Sequence, residues 1–182
     1  MTGQLIFLDT AKELKHLRNS DPKMGKLIDL IGDYTLYLRT DLFRSLIRTI
    51  IGQQLSIKAA RTIWGRLERE LGEVSPEQVL VLSDEKLRSI GLSRQKITYA
   101  KHLSDMVLND EINLDTMHNL SDQKVMESLI KIKGIGRWSA EMFMIFSLGR
   151  LDVLSVNDVG LKRAIQCSVN YRNNQIKKEC KR

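Results

Sequence analysis

The chain has 182 residues, a length that can hold one domain or two small domains sharing a core. No run of apolar residues approaches the roughly 18 to 20 needed to cross a bilayer, and the first residues lack the pattern of a signal peptide. We therefore expect a cytoplasmic protein with no membrane partner. The formal charge of +7 favours an anionic partner such as nucleic acid, but four of these charges lie in residues 171–182, so an ordinary solvated basic face is the alternative.

The first clear helix is predicted over residues 41–51, where apolar residues recur at the three- and four-residue spacing of an amphipathic helix. Gly52 interrupts it. Ser56 then has the position of an N-cap for a second helix, which Gly72 ends. This leaves a tight connection made of Gln53, Gln54 and Leu55.

Serine residues also mark the starts of the helices that follow. Ser75 with Pro76 and Gln78 predicts a short helix over 76–82, and Ser83 begins another that Gly91 ends. A longer helix is predicted from Ser93 to about Leu108, and one more from Ser121. No segment alternates with period two, and only residues 151–156 could be extended. The predicted fold class is all-α, an orthogonal bundle of short helices.

Residues 129–140, LIKIKGIGRWSA, predict two helices joined by a tight turn at Gly134-Ile135-Gly136. One helix is expected to end near Lys131 and the other to run from about Arg137 to Leu148. The glycines permit positive φ and the close approach of a foreign backbone. Free N–H groups at the start of the second helix would form an anion site suited to a DNA phosphate. An ordinary corner between two helices is the alternative for the turn taken alone.

Four blocks in this order resemble the helix-hairpin-helix (HhH-GPD) DNA glycosylases of base-excision repair, specifically the 3-methyladenine (alkyladenine) branch. They are LIRTIIGQQLSIKAA at 46–60, GLSRQKITYAKHLS at 91–104, IKGIGRWSAEMF at 132–143 and DVLSVNDVGLKRA at 152–164. The likeness covers about residues 12–166. It implies a helix-hairpin-helix motif for DNA binding, double-stranded DNA containing damaged bases as the partner, and a monomeric enzyme.

The resemblance places the catalytic carboxylate on Asp158, twenty residues after Trp138. Breaking the N-glycosidic bond builds positive charge on the deoxyribose, and a nearby carboxylate stabilises that charge and orients the attacking water. The alternative is that Asp158, or Asn157 beside it, only caps the helix beginning near Val159. The two roles are compatible, since a helix N-terminus helps to keep a carboxylate ionised.

Trp138 occupies the hairpin position where relatives that also nick the backbone carry a lysine. The resemblance therefore implies a monofunctional enzyme, one that removes the base without cleaving the strand. The tryptophan ring could stack on an everted, positively charged alkylpurine in the substrate pocket. Packing between helices is the alternative role for this side chain.

The resemblance also assigns the DNA contacts. Gln53 and Gln54 lie in the loop that enters the minor groove in similar proteins, with Gln54 at the wedge position; a polar loop tip bonded to water is the alternative. The phosphate contacts fall on Gly134, Ile135, Gly136 and Ser139. Similar hairpins hold a monovalent cation, Na⁺ or K⁺, which would involve the backbone carbonyls of Ile130, Ile132 and Gly134. No cofactor is required, and two cysteines cannot hold a four-cysteine iron–sulfur cluster. Lys96 and Tyr99 are expected to support the fold.

Two lobes are expected, with the active cleft between them. Residues 37–150 form a central lobe containing the hairpin, and residues 12–36 plus 151–182 form the second lobe, which carries Asp158. The tail after Ile165 lacks apolar periodicity and looks truncated, so activity is expected to be weak if Asp158 is poorly supported.

The sequence thus predicts a glycosylase that hydrolyses alkylated purines from duplex DNA, associated with the nucleoid if the source is prokaryotic. A glycosylase for another lesion on the same fold, and a non-catalytic DNA-binding module or inactive fragment, are the alternatives.

Overall fold

The structure, a computed structural model, describes residues 3–170 of the chain, with side chains as far as residue 167. The chain divides into two compact units. One combines Met1–Leu38 with Leu154–Arg182, and the other is Arg39–Val153. The sequence places the corresponding boundaries near residues 37 and 150. The predicted truncation concerns residues 171–182, which lie outside the described residues.

Within its described residues, the discontinuous unit contains a small sheet and three helices. Strand β1 (Gln4–Phe7) precedes helices α1 (Lys12–Ser20) and α2 (Pro22–Ile31), and strand β2 (Tyr34–Tyr37) follows them. The strands pair antiparallel, with Gln4 opposite Tyr37 and Phe7 opposite Tyr34. Helix α10 (Val159–Asn170) is the third of these helices.

The sheet corrects the prediction that the chain lacks strands. Leu5, Ile6 and Phe7 are consecutive apolar residues, so the alternation of half-buried and exposed positions along β1 is hidden in the sequence. Its pairing partner lies about thirty residues away, and such distant pairing leaves no local pattern. Residues 151–156, the segment that could have been extended, form no strand. The all-α fold class is nevertheless confirmed, since helices account for nearly all the regular structure.

The continuous unit is built from seven α-helices and a short 3₁₀ helix. They are α3 (Leu42–Gly52), α4 (Ile57–Leu71), α5 (Pro76–Val81), α6 (Asp84–Ile90), α7 (Arg94–Leu108), the 3₁₀ turn Met117–Asn119, α8 (Asp122–Leu129) and α9 (Arg137–Phe146). Helix α3 supplies the centre of the core, where Leu46, Ile47, Ile50 and Ile51 are at most 1% exposed.

The predicted helix starts are confirmed by their capping geometry. The hydroxyl groups of Ser56, Ser75, Ser83, Ser93 and Ser121 each accept a hydrogen bond from the backbone N–H three residues later. Each such cap contributes about 1 kcal/mol to helix stability. The two helices of the hairpin are each shorter by two residues than predicted, ending at Leu129 and Phe146.

Candidate nucleic-acid interface

The hairpin turn lies between α8 and α9, and its two glycines serve different purposes. Gly134 has φ = +86°, and a Cβ atom there would overlap the ring of Tyr99, so both conformation and space require glycine. A Cβ atom at Gly136 would meet nothing within 4 Å. No neighbour in this protein therefore demands glycine at residue 136, and the open space in front of it suits the approach of a ligand.

The start of α9 offers backbone donors. Gly136 is its N-cap and no side chain caps the helix, so the N–H groups of the first turn lack the intrahelical acceptors that later residues have. Ile135 and Ser139 are only 4% and 6% exposed. Their side chains are thus buried. The Ser139 N–H lies in the first turn of α9, whereas the Ile135 N–H already donates to the Ile132 carbonyl at 3.0 Å, so the predicted contact of Ile135 with a phosphate lacks a donor in this structure.

The connection between α3 and α4 is joined directly to this hairpin. The side-chain amide of Gln53 donates a hydrogen bond of 2.6 Å to the carbonyl oxygen of Gly134. The Lys96 ammonium group donates to the carbonyl oxygens of Ile51 and Gln53, at 2.7 and 2.8 Å. Burial lowers the pKa of Lys96, because the ammonium group loses hydration. The Gln53 amide thereby brings two predicted DNA-contacting segments together, and Lys96 supports the first of them from α7.

The two glutamines of this connection differ in their environment. The Gln53 amide is engaged within the protein, whereas the sequence assigned this residue with Gln54 to the minor groove. Gln54 is exposed and has φ = 56°, which is unusual for a residue other than glycine. The surrounding structure must therefore hold the backbone of Gln54 in this unfavourable conformation.

Trp138 lies in the first turn of α9 and is 47% exposed. The neighbouring Glu141 is 4% exposed, and its carboxylate pairs with the exposed Arg137 guanidinium at 2.9 Å. This ion pair, which sequence reasoning missed, follows the four-residue spacing of facing positions on a helix. Half of the tryptophan side chain is thus accessible, and stacking on a base stays a prediction.

Asp158 belongs to the other structural unit, where it precedes α10. One carboxylate oxygen accepts a hydrogen bond of 2.6 Å from the Leu161 N–H, which is the geometry of a helix cap. The Asp158 N–H donates to the carbonyl of the buried Ser155 at 3.0 Å. The capping role is therefore present, and it favours the ionised carboxylate that catalysis would need.

Among the residues that the structure describes, no group of three or more His, Cys, Asp and Glu side chains could hold a metal ion. Two of the carbonyls predicted to bind a monovalent cation already accept hydrogen bonds, Gly134 from Gln53 and Ile132 from the Ile135 N–H. Each carbonyl oxygen has a second lone pair, so these oxygens still fit a hard cation. Within the same described range, no helix is long and apolar enough to span a membrane.

Comparison with known proteins shows which family this chain resembles. A family model described as "HhH-GPD superfamily base excision DNA repair protein" matches residues 47–182. DNA-3-methyladenine glycosylase 1 of Schizosaccharomyces pombe is 32% identical over 154 residues, which cover 81% of this chain and 68% of that protein.

Two solved structures resemble the whole fold. A DNA-3-methyladenine glycosidase from Bacillus halodurans is 40% identical with a TM-score of 0.83, covering 93% of this chain and 79% of its own. A 3-methyladenine DNA glycosylase from Schizosaccharomyces pombe in complex with abasic DNA is 31% identical with a TM-score of 0.79, covering 87% and 81%. The chain therefore belongs to the HhH-GPD superfamily of base excision DNA repair proteins, in the branch of the 3-methyladenine DNA glycosylases.

Proposed function

We propose that this protein is a monofunctional DNA glycosylase that removes alkylated purines of the 3-methyladenine type from duplex DNA in base-excision repair. The observation that carries the proposal is the hydrogen bond between Gln53 and Gly134 within a chain of this family. It joins residues 53–55, here called the wedge loop, to the glycine turn of the hairpin. The relative solved with abasic DNA supports DNA as the partner.

In this proposal the hairpin holds the DNA strand. The N–H groups at Gly134, Gly136 and Ser139 would bind a backbone phosphate, favoured by the positive end of α9. Ile135, whose N–H donates to the Ile132 carbonyl, would shape the turn between these donors. A monovalent cation on the carbonyls of Ile130, Ile132 and Gly134 would add positive charge beside that phosphate. The excision chemistry itself requires no cofactor.

The wedge loop and Trp138 would act on the nucleotide that leaves the stack. Gln54 would enter the minor groove and fill the gap left by the everted base. The exposed half of Trp138 would stack on the base, whose positive charge when alkylated strengthens the contact with the ring. Because tryptophan stands where strand-nicking relatives have lysine, no Schiff base can form there, and the enzyme is monofunctional.

Asp158 would be the catalytic residue. The bond between the base nitrogen and C1′ of the sugar breaks, and its electron pair leaves with the base. The carboxylate stabilises the resulting positive charge on the sugar and orients a water molecule, whose oxygen bonds to C1′ as its proton is lost. The lobe that joins residues 12–36 to those after 151 carries this group. We expect a monomer that acts where the cell keeps its DNA, the nucleoid in a prokaryote.

The test is release of free bases from methylated duplex DNA, identified by chromatography, for wild type and for Asp158→Asn. Asparagine is as good an N-cap as aspartate, so the variant should fold normally and lose excision. Release of 3-methyladenine by wild type supports the proposal, and release of a different damaged base indicates another lesion. Salt-sensitive binding without release indicates a non-catalytic module. Near-wild-type excision by Asp158→Asn would remove Asp158 from the catalytic role.

A further inference from the structure

Three arginine side chains of the continuous unit lie over aromatic rings, and two of them, Arg48 and Arg39, differ from the third in lacking an acidic partner. The Arg48 guanidinium, on α3, lies 4.4 Å from the ring centroid of Trp64, which is itself 5% exposed. The Arg39 guanidinium lies 6.0 Å from the ring centroid of Phe146, and its backbone N–H donates to the Phe146 carbonyl at 2.9 Å. Each planar cation is thus oriented by a fixed aromatic face.

Neither of these guanidinium groups has an acidic partner in the part of the chain that the structure describes. Arg44 shows the contrast: it also lies over Trp64, at 5.6 Å, but it forms ion pairs with Glu68 and Asp41. The pKa of Arg39 is lowered, first by burial and then by the positive charge of Arg48. Both residues are exposed, so water screens this repulsion, and two guanidinium groups without a carboxylate partner form a positively charged surface that attracts an anion.

The position of Arg48 indicates that this anion is a phosphate group of the DNA backbone. Arg48 and Gly52 are four residues apart and share one face of α3, about 6 Å along the helix axis. A Cβ atom at Gly52 would meet nothing within 4 Å, so the surface between Arg48 and the wedge loop is open at this point. A DNA strand engaged by that loop would have its backbone near Arg48, and a guanidinium group matches phosphate in geometry and charge.

We propose that Arg48 and Arg39 form a second phosphate-binding site, which holds the DNA backbone on the α3 side of the wedge loop. The inference rests on the proposed function, because it takes DNA as the partner. It adds to the hairpin a contact made by side chains rather than by backbone N–H groups.

The experiment measures the affinity of the 182-residue chain for a duplex containing a tetrahydrofuran abasic-site analogue over a range of salt concentrations. Each lost phosphate contact reduces the slope of log affinity against log salt by about 1. Arg48→Gln and Arg39→Gln should each show this reduction and bind on the order of tenfold more weakly at low salt. Arg88→Gln, which removes the same charge from an exposed position on α6, is the matched control and should keep the wild-type slope.

Two further variants separate binding from packing. Arg48→Met keeps an apolar stem on Trp64 without the charge, and it should lose the same slope as Arg48→Gln. Arg48→Lys keeps the charge and should retain the wild-type slope. Unchanged slopes in Arg48→Gln and Arg48→Met, with wild type binding and excising normally, would overturn this site alone. A wild-type protein that binds no duplex would overturn the proposed function together with it.

Discussion

The side-chain amide of Gln53 and the carbonyl oxygen of Gly134, 81 residues apart in sequence, are joined by a hydrogen bond of 2.6 Å. The contact fixes the loop after α3 against the turn before α9. The Lys96 ammonium group, on α7, donates to the backbone carbonyls of Ile51 and Gln53 at the start of the same loop. The segment expected to enter the groove and the turn expected to grip the phosphate are therefore positioned by one hydrogen-bond network.

Removing the amide should weaken that network. Gln53→Ala is expected to lower the free energy of unfolding by about 1 kcal/mol, the net contribution of one hydrogen bond. It should also weaken binding to a duplex with an abasic-site analogue, because the loop and the turn are no longer held in a fixed position relative to each other. Chemical denaturation and a binding titration measure the two effects.

Gln53→Glu sharpens this test, since it places a carboxylate against the Gly134 oxygen and should cost more than alanine. Gln78→Ala, at an exposed position on α5, is the control and should change neither quantity. Wild-type affinity in both Gln53 variants would show that the contact does not position the DNA-binding segments.

The two hairpin glycines should respond differently to alanine. Gly134→Ala meets an unfavourable φ of +86° and the ring of Tyr99, so we expect it to lower the free energy of unfolding by about 2–4 kcal/mol. Gly136→Ala has space for the methyl group and should lower the free energy of unfolding by less than about 1 kcal/mol, because alanine is a poorer N-cap than glycine. It should nevertheless weaken DNA binding by crowding the phosphate. Thermal unfolding and duplex affinity distinguish these outcomes. Equal stability losses in the two variants would contradict the assignment.

Lys96 provides a prediction about pH. Burial lowers its pKa in the folded protein, so between this lowered value and the unfolded value of about 10.4 the unfolded chain binds more protons. Wild type should therefore gain stability relative to Lys96→Met as pH rises through that window. Urea denaturation of both proteins at several alkaline pH values measures the difference. A difference that shrinks as pH rises would mean that the carbonyl contacts, not burial, dominate the pKa.

Local rules account for what the sequence predicted about the fold. A serine cap binds an N–H group three residues later, so Ser56 and Ser93 identify their helices without any tertiary information. The hairpin was predictable for the same reason, because its glycines and apolar flanks lie within one short segment.

Contacts between distant segments explain what the sequence could not show. The strands β1 and β2 pair across two helices, and Gln53 meets Gly134 only after the core has formed. From the sequence alone, Arg48 is one more exposed cation on an amphipathic helix. Only the structure shows that its guanidinium group lies over the ring of Trp64 from α4. The identities of such residues carry no signal of their partners, so these features required the structure.

Gln54 has a strained backbone conformation and a predicted role as the wedge in the minor groove. One substitution tests the two effects by different measurements. Its φ of 56° costs a residue with a side chain about 1–2 kcal/mol, so Gln54→Gly should raise the free energy of unfolding by up to about 1 kcal/mol after glycine's own entropic cost. The same variant lacks the side chain that would fill the gap in the duplex, and it should excise alkylated bases more slowly. Denaturation and base release are the measurements.

Asp110 provides the matched control, since it has the same φ of 56° in the same structural unit. Asp110→Gly should gain less stability, because aspartate tolerates this conformation better than glutamine does, and its excision rate should be unchanged. A strained backbone conformation costs stability, and we expect it to be retained in a loop when the side chain has a function there. A Gln54→Gly protein that is more stable and excises at the wild-type rate would show that the glutamine is not the wedge.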